Sequence, residues 1–156
     1  MDIDELISIV TLKKLEDNKF EGQNYKTVWG RIFGGQVLSQ SLHAAYQTVP
    51  ENRIAHSMHA YFILPGDLNE PVIYEVDNIR NGGSFTTRRV VAFQKGRAIF
   101  NMAASFQKDE EGFDHQIQMP NVLSPDLLLT DFEQAEKFKE ELAERYQIFL
   151  AAHPKV

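Results

Sequence analysis

The sequence predicts an α+β fold, a curved antiparallel sheet wrapped around one buried helix. Three observations carry that expectation. A single long run with helical apolar spacing opens at Gly34-Gly35-Gln36. From Ile54 onward the period changes to two, in segments separated by short turns. Amphipathic helical stretches stand at both ends of the chain. A long apolar helix needs a sheet to cover it, and the strands that follow are the only partner this sequence supplies.

Each element is read in order. Residues 4–15 place Leu6, Ile7, Val10, Leu12 and Leu15 at helical spacing, with Asp2 and Asp4 near the positive end of the helix dipole. Residues 19–23 read as a strand. Val37, Leu38, Leu42, Ala45 and Val49 then recur every three or four residues, giving a central helix from Gly35 to about Val49 that Pro50 ends. Residues 55–64 are a strand closed by Pro65-Gly66-Asp67, and residues 72–79 are the next. Asn81-Gly82-Gly83 reads as a hairpin turn using the positive φ that glycine tolerates. Residues 84–94 and 98–107 follow around a Lys95-Gly96 turn, with Phe85, Val91 and Phe93 alternating in one and Phe100, Met102 and Phe106 in the other. These make a meander of three to four strands. Past Lys108 the chain is mixed, with Pro120 and Pro125, until Phe132, Ala135, Phe138, Leu142, Tyr146 and Phe149 restore helical spacing over 131–150. A sheet around a central helix is the hot-dog arrangement. It is assigned to residues 1–120 together with the amino-terminal helix, leaving 121–156 as linker and carboxy-terminal helix.

Composition narrows the function. The 156 residues carry 16 Lys+Arg against 22 Asp+Glu, a formal charge of −6 without a basic run. That excludes a duplex nucleic-acid binder or a protein held on an anionic membrane surface. Cysteine is absent, which removes disulfide scaffolds, thiolate metal sites and cysteine nucleophiles together. No apolar run approaches the ~20 residues of a membrane-spanning helix. Acidic residues stand where a secretion signal would carry Lys or Arg, so a cytoplasmic location is expected.

Several residues could carry chemistry. Gly34, Gly35 and Gln36 open the buried helix, where glycines let a ligand approach bare backbone N–H groups and the dipole favours negative charge. Such amides could stabilise an oxyanion, although the same glycines also make a tight start to a helix. The GxGxxG nucleotide spacing is absent. His56 and His59 are three apart in a strand, an offset that sends them to opposite faces, one toward the helix and one outward. No metal site and no cofactor are therefore expected. Asp67 is a turn cap or a general base. Arg88 and Arg89 are adjacent in a strand, so one faces the helix, and a carboxylate of this chain is the expected partner ahead of a substrate phosphate. Between Arg31 and Glu51 there is no Asp or Glu, so the central helix cannot supply a water-activating carboxylate.

These residues resemble one family. Gly30-Arg31-Ile32-Phe33-Gly34-Gly35-Gln36-Val37 with Gln40-Ser41-Leu42, then His56-Ser57-Met58-His59-Ala60-Tyr61-Phe62, Pro65-Gly66-Asp67, Ser84-Phe85-Thr86-Thr87-Arg88-Arg89-Val90 and Ala104-Ser105-Phe106-Gln107 follow the order of the acyl-CoA thioesterase II family. Members of that family carry two hot-dog units, and the likeness is to the amino-terminal one, over about residues 5 to 120. The resemblance implies hydrolysis of fatty acyl-CoA to free fatty acid and CoA. It places a histidine near the active site at His56. The family's catalytic Asp, Thr and Gln belong to the second unit and have no counterpart here. Substrate contacts are expected from Gly34, Gly35, Gln36, His59, Asp67 and Arg88. Two alternatives stand beside a thioesterase domain: a non-catalytic acyl-binding or assembly half, and, more weakly, a hot-dog dehydratase. The expected partners are acyl-CoA and either a second hot-dog domain or further copies of the chain.

Overall fold

The computed structural model describes residues 3–28 and 30–138, together with Glu144 and Ile148. The chain divides into two compact units, Met1–Glu110 and Glu111–Val156.

The first unit runs α1 (Ile3–Val10), β1 (Lys13–Glu16), β2 (Lys19–Gly22), α2 (Gly34–Tyr46), β3 (Ile54–Phe62), β4 (Val72–Asn81), β5 (Phe85–Gln94) and β6 (Arg97–Gln107). The strands form one six-stranded sheet in the order β1-β2-β4-β5-β6-β3. All five pairings are antiparallel. The expected meander is thus real for β4, β5 and β6, but β3 passes over to the far side of β6 and forms one edge. The turns are short because their chemistry fits. Lys95 and Gly96 both take positive φ, 49° and 72°, the shape that joins two twisted strands through a two-residue turn. Gly82 and Gly83 do not use positive φ; there the hairpin is closed by the Gly82 N–H donating to the Phe85 carbonyl at 2.8 Å.

The amino-terminal helix is shorter than its apolar pattern predicts. It stops at Val10, and residues 13–16 leave it to pair with β2 as a strand. Leu12 fits both patterns because it packs on the core from the connection between them.

Helix α2 packs on β4, β5 and β6, and its Val37, Ala44 and Ala45 share one buried cluster with Val72, Tyr74, Val90, Ala92, Met102 and Phe106. Its deepest face is not the most apolar one. Gln36, Val37, Gln40, Ser41, Ala44 and Ala45 are buried, while Leu38 and Leu42 are only partly so. Small residues bring the helix axis close to the sheet, and the two glutamines reach surrounding backbone. Gln40 Nε2 donates to the carbonyls of Ile9 at 2.6 Å and Gln23 at 2.9 Å, and its Oε1 accepts from the Tyr74 hydroxyl at 2.5 Å. Burial raises the Tyr74 pKa, so that hydroxyl remains a donor. On β5 the apolar alternation is present but faces outward: Thr86, Arg88, Val90, Ala92 and Gln94 are buried, and Phe85, Val91 and Phe93 form the outer row.

The second unit contains a short 3₁₀ turn at Pro125–Leu127 and α3 (Asp131–Lys137). The start of α3 is a reciprocal capping box between Thr130 and Glu133. The continuation of this helix to residue 150, expected from the sequence, lies outside the described residues except at Glu144 and Ile148.

Candidate functional site

The start of α2 leaves backbone donors unused. Phe33 is extended at the N-cap with φ −67° and ψ 128°, and no side chain caps the helix. The Gln36 N–H reaches the Phe33 carbonyl at 3.0 Å and the Val37 N–H reaches it at 3.4 Å. Among the described residues the amides of Gly34 and Gly35 have no carbonyl partner. These are the first-turn donors of a helix, at its positive end.

They lie at a cleft of about 660 Å³ lined by Arg31, Phe33, Gly34, Val37, Phe62 and Phe100, among others. Its opposite wall, residues 62–66, is the chain leaving β3. Ile63 and Leu64 both donate their N–H groups to the Ile99 carbonyl, at 2.9 and 3.1 Å, and the Ile32 N–H donates to Gly66 at 3.1 Å. The two phenyl rings of Phe62 and Phe100 meet edge-on with centroids 5.0 Å apart. The close approach, and not a positive φ, is what Gly34 and Gly35 serve here. A Cβ on Gly34 would stand 2.9 Å from the Phe62 ring, and one on Gly35 would overlap the ring of Phe33. Phe33 and Phe62 are 56% and 62% exposed, and Ile63 and Leu64 are exposed beside them. Backbone donors ringed by accessible apolar side chains are suited to a carbonyl attached to a hydrocarbon chain.

A polar network holds the two walls together. Gln36 Oε1 accepts from the Tyr25 N–H at 3.0 Å, and its Nε2 donates to the Gln23 carbonyl and to Asn24 Oδ1, both at 3.1 Å. Asn24 Nδ2 in turn donates to Glu70 at 2.5 Å and to Asp67 at 3.3 Å. Gln94 Nε2 reaches the same two carbonyls, Asp67 at 2.9 Å and Glu70 at 2.6 Å.

The residues singled out from the sequence are scattered by the fold. Gly34 lines the cleft and Gly35 follows it, but the side chain of Gln36 is engaged in the network just described. His56 and His59 do not point to opposite faces. A register shift between Ala55 and Ser57 adds one residue to the parity of β3. His56 Nε2 therefore bonds Ser105 Oγ at 2.8 Å and its ring meets Phe85, while His59 meets Tyr61, all on the outer face. Asp67 takes the turn-capping role: its Oδ1 accepts from the Asn69 N–H at 3.0 Å and its Oδ2 pairs with Lys95 at 2.9 Å. The Asn69 amide first, and then Lys95, hold its carboxyl below the usual carboxylate value.

Arg88 corrects the expected carboxylate pairing. The side chain is 1% exposed, and each of its bonds goes to a neutral oxygen. Its Nε and Nη2 donate to Thr48 Oγ1 and the Thr48 carbonyl at 2.8 and 2.7 Å. Nη1 reaches the carbonyls of Arg80 and Thr87, both at 3.0 Å, and Nη2 also reaches Asn81 Oδ1 at 2.7 Å. Burial lowers its pKa, but arginine begins so high that the charge stays. Its neighbour Arg89 pairs with Asp77 at 2.8 Å on the surface. Arg53, unremarked in the sequence, repeats the pattern by donating to the carbonyls of Gly82, Gly83 and Ser84. Both arginines fasten the β4–β5 turn and the end of α2. They belong to the framework.

Among the described residues no group of three or more His, Asp or Glu is placed to hold a metal ion. The wall residues Phe33, Phe62, Leu64 and Phe100 were not read as site residues from the sequence. The available signal was the run Tyr61-Phe62-Ile63-Leu64, too apolar for the end of an edge strand.

Comparison with known proteins gives these features a family. Residues 24–107 match the model of the acyl-CoA thioesterase N-terminal domain. The chain is 41% identical over 142 residues to acyl-CoA thioesterase 2 of Haemophilus influenzae, covering 91% of this chain and 50% of that protein. The crystal structure of an acyl-CoA thioesterase II from Mycobacterium marinum superposes with a TM-score of 0.71 at 42% identity, covering 85% of this chain and 48% of that one. A hot-dog protein of unknown function from Alicyclobacillus acidocaldarius, 23% identical with a TM-score of 0.64, shares the fold, covering 78% of this chain and 47% of its own. The chain thus spans about half the length of the relatives it matches. From the matched segment, the relatives and the sheet wrapped on α2, the chain belongs to the acyl-CoA thioesterase N-terminal domain family.

Proposed function

We propose that this chain is the amino-terminal hot-dog unit of a fatty acyl-CoA thioesterase, binding the thioester at the start of α2. The observation that carries this reading is the pair of Gly34 and Gly35 amides, without a carbonyl partner among the described residues, beside an apolar cleft. In hydrolysis, water attacks the thioester carbon, the carbonyl oxygen takes up the charge, and collapse expels the CoA thiolate, which is protonated to the thiol as the acid is released. Amides aimed at the oxygen stabilise the intermediate. Water activation needs a base, and among the described residues the cleft lining contains no Asp, Glu or His. The resemblance assigns that work to a second unit. The same lack counts against a dehydratase, which needs a positioned acid and base. A sequence free of cysteine is in keeping with a cytoplasmic site of action.

The sheet edges support the partner. At one edge β1 has four residues, two of them lysines, a protected end. At the other, β3 has nine residues and exposes Met58, Tyr61 and Phe62. A second hot-dog unit, or another copy of this chain, joins along β3. Thiol release from a panel of acyl-CoAs, by this chain alone and by a form joined to a second unit, tests the reading. Measurable acyl-CoA binding with slow turnover alone and fast turnover when joined is expected. A chain that binds no acyl thioester refutes it.

A further inference from the structure

The stretch from Gly22 to Pro50 contains no Asp or Glu, in a chain that has 22 of them. Its only Lys and Arg are Lys26 and Arg31. Thr27, next to the first of these, meets Arg31 itself. Thr27 Oγ1 donates to the Arg31 carbonyl at 2.7 Å, and Gly30 takes a φ of 68° that an L side chain rarely adopts. Both cations are exposed. Among the described residues, the ion pairs of this unit involve Lys13, Lys14, Lys19, Arg89 and Lys95, and neither Lys26 nor Arg31. Among the described residues, Arg31 is also the one charged residue lining the cleft, whose other described residues are apolar, glycine or proline.

An acidic protein that keeps every carboxylate off this segment, and leaves its two cations without an ion pair among the described residues, with Arg31 on the apolar cleft and Lys26 five residues before it in the chain, is arranged for a ligand with a hydrocarbon part and an anionic part. We infer that Lys26 and Arg31 are the contact for the phosphate groups of coenzyme A, so that the site reads the nucleotide end of the thioester as well as its acyl chain. This rests on the acyl-thioester reading above. Arginine offers a planar fork and lysine a point charge, both suited to phosphate. Their attraction also raises the rate of encounter, against the repulsion of a net-negative protein. The carboxylate of the released fatty acid is the other oxyanion that could use the same pair.

The test is equilibrium binding by calorimetry, with coenzyme A, octanoyl-CoA, the octanoyl thioester of N-acetylcysteamine, and octanoate as probes. Wild type is compared with the double variant Lys26→Gln, Arg31→Gln and with Arg31→Lys. Both positions are exposed, so folding is expected to be unaffected. The double variant is expected to lose about tenfold or more in affinity for coenzyme A and octanoyl-CoA, in a salt-dependent manner, as two charge-assisted contacts predict. The N-acetylcysteamine thioester, which lacks phosphate, is expected to bind unchanged, and Arg31→Lys to retain most of the affinity. Equal losses for both thioesters, no loss, or a loss confined to octanoate overturns the assignment. Wild type binding the N-acetylcysteamine thioester as tightly as octanoyl-CoA overturns it alone, leaving the acyl-thioester reading intact. Wild type binding neither thioester removes both.

Discussion

Asn24 and Gln36 are joined side chain to side chain, Nε2 of the glutamine donating to Oδ1 of the asparagine at 3.1 Å, and through this bond the first turn of α2 is tied to the wall of the cleft it faces. The remaining amide of Asn24 reaches the carbonyls of Asp67, Leu68 and Glu70. The geometry of the candidate site thus depends on residues that do not line it.

Asn24→Ala removes one donor group serving three carbonyls and leaves Gln36 short of an acceptor. Gln94 still serves the Asp67 and Glu70 carbonyls and the Gln23 carbonyl still accepts from Gln36, so the loss is about 0.5–1.5 kcal/mol. The expected result is a loss of that size in urea unfolding, with weaker octanoyl-CoA binding. Asn24→Asp restores the acceptor but not the donor and is expected to recover little.

Gly35→Ala separates stability from binding. The backbone there has no positive φ, and alanine is the better helix former by about 1 kcal/mol. The new Cβ displaces only the exposed ring of Phe33. Thermal unfolding is expected to shift little, while binding of an acyl thioester at the Gly34 and Gly35 amides falls. Unchanged binding would show that the ligand does not approach this backbone.

Arg88→Met removes five bonds and leaves the Thr48 and Arg80 carbonyls without that donor. Leaving buried oxygens without a donor in this way costs about 1–3 kcal/mol. Arg88→Lys is expected to rescue little, because an ammonium cannot span the fork of acceptors. Denaturant midpoints check both, and a neutral Arg88→Met would show that the network adds nothing.

The acid limb of stability has a sign that can be worked out at Asp67. Its folded-state pKa is lowered, by the Asn69 amide and then by Lys95, so the unfolded chain binds the proton more readily. The contribution is present above the ordinary carboxylate pKa and is lost as pH falls through the lower folded value. Urea midpoints measured from neutral to acid pH should fall less steeply at the acid end in Asp67→Asn than in wild type. An identical acid limb would show that the turn does not depend on this charge.

The exposed edge of β3 gives a prediction for assembly. Placing lysines at His59 and Tyr61, both exposed on that strand, adds the charge by which natural edges resist pairing. Analytical ultracentrifugation is expected to show wild type associated and the double variant, His59→Lys with Tyr61→Lys, shifted toward monomer. A wild-type chain that is wholly monomeric at tens of micromolar would refute pairing between copies and leave only a different second unit.

The sequence by itself determined the class of fold and the order of its central elements. The period of α2, the alternation of β4 to β6 and the Lys95-Gly96 turn are local, and local pattern encodes them. The absence of a carboxylate between Arg31 and Glu51 was also legible, and with it the lack of a base on the central helix. What depended on long-range contact was decided only by the tertiary structure. One inserted residue in β3 reversed the face of His56, because strand parity changes with every bulge. Arg88 found carbonyls at Thr48 and Arg80 instead of a carboxylate, since a bent turn and a helix end offer several acceptors at once. The polar face of α2 went inward because Gln36 and Gln40 meet backbone donors and acceptors 11 to 31 residues away, and Gln40 also meets the Tyr74 hydroxyl. The cleft itself joins residues 31–37, 62–66 and 99–100, and no sequence period connects three segments that only the closing of the sheet brings together.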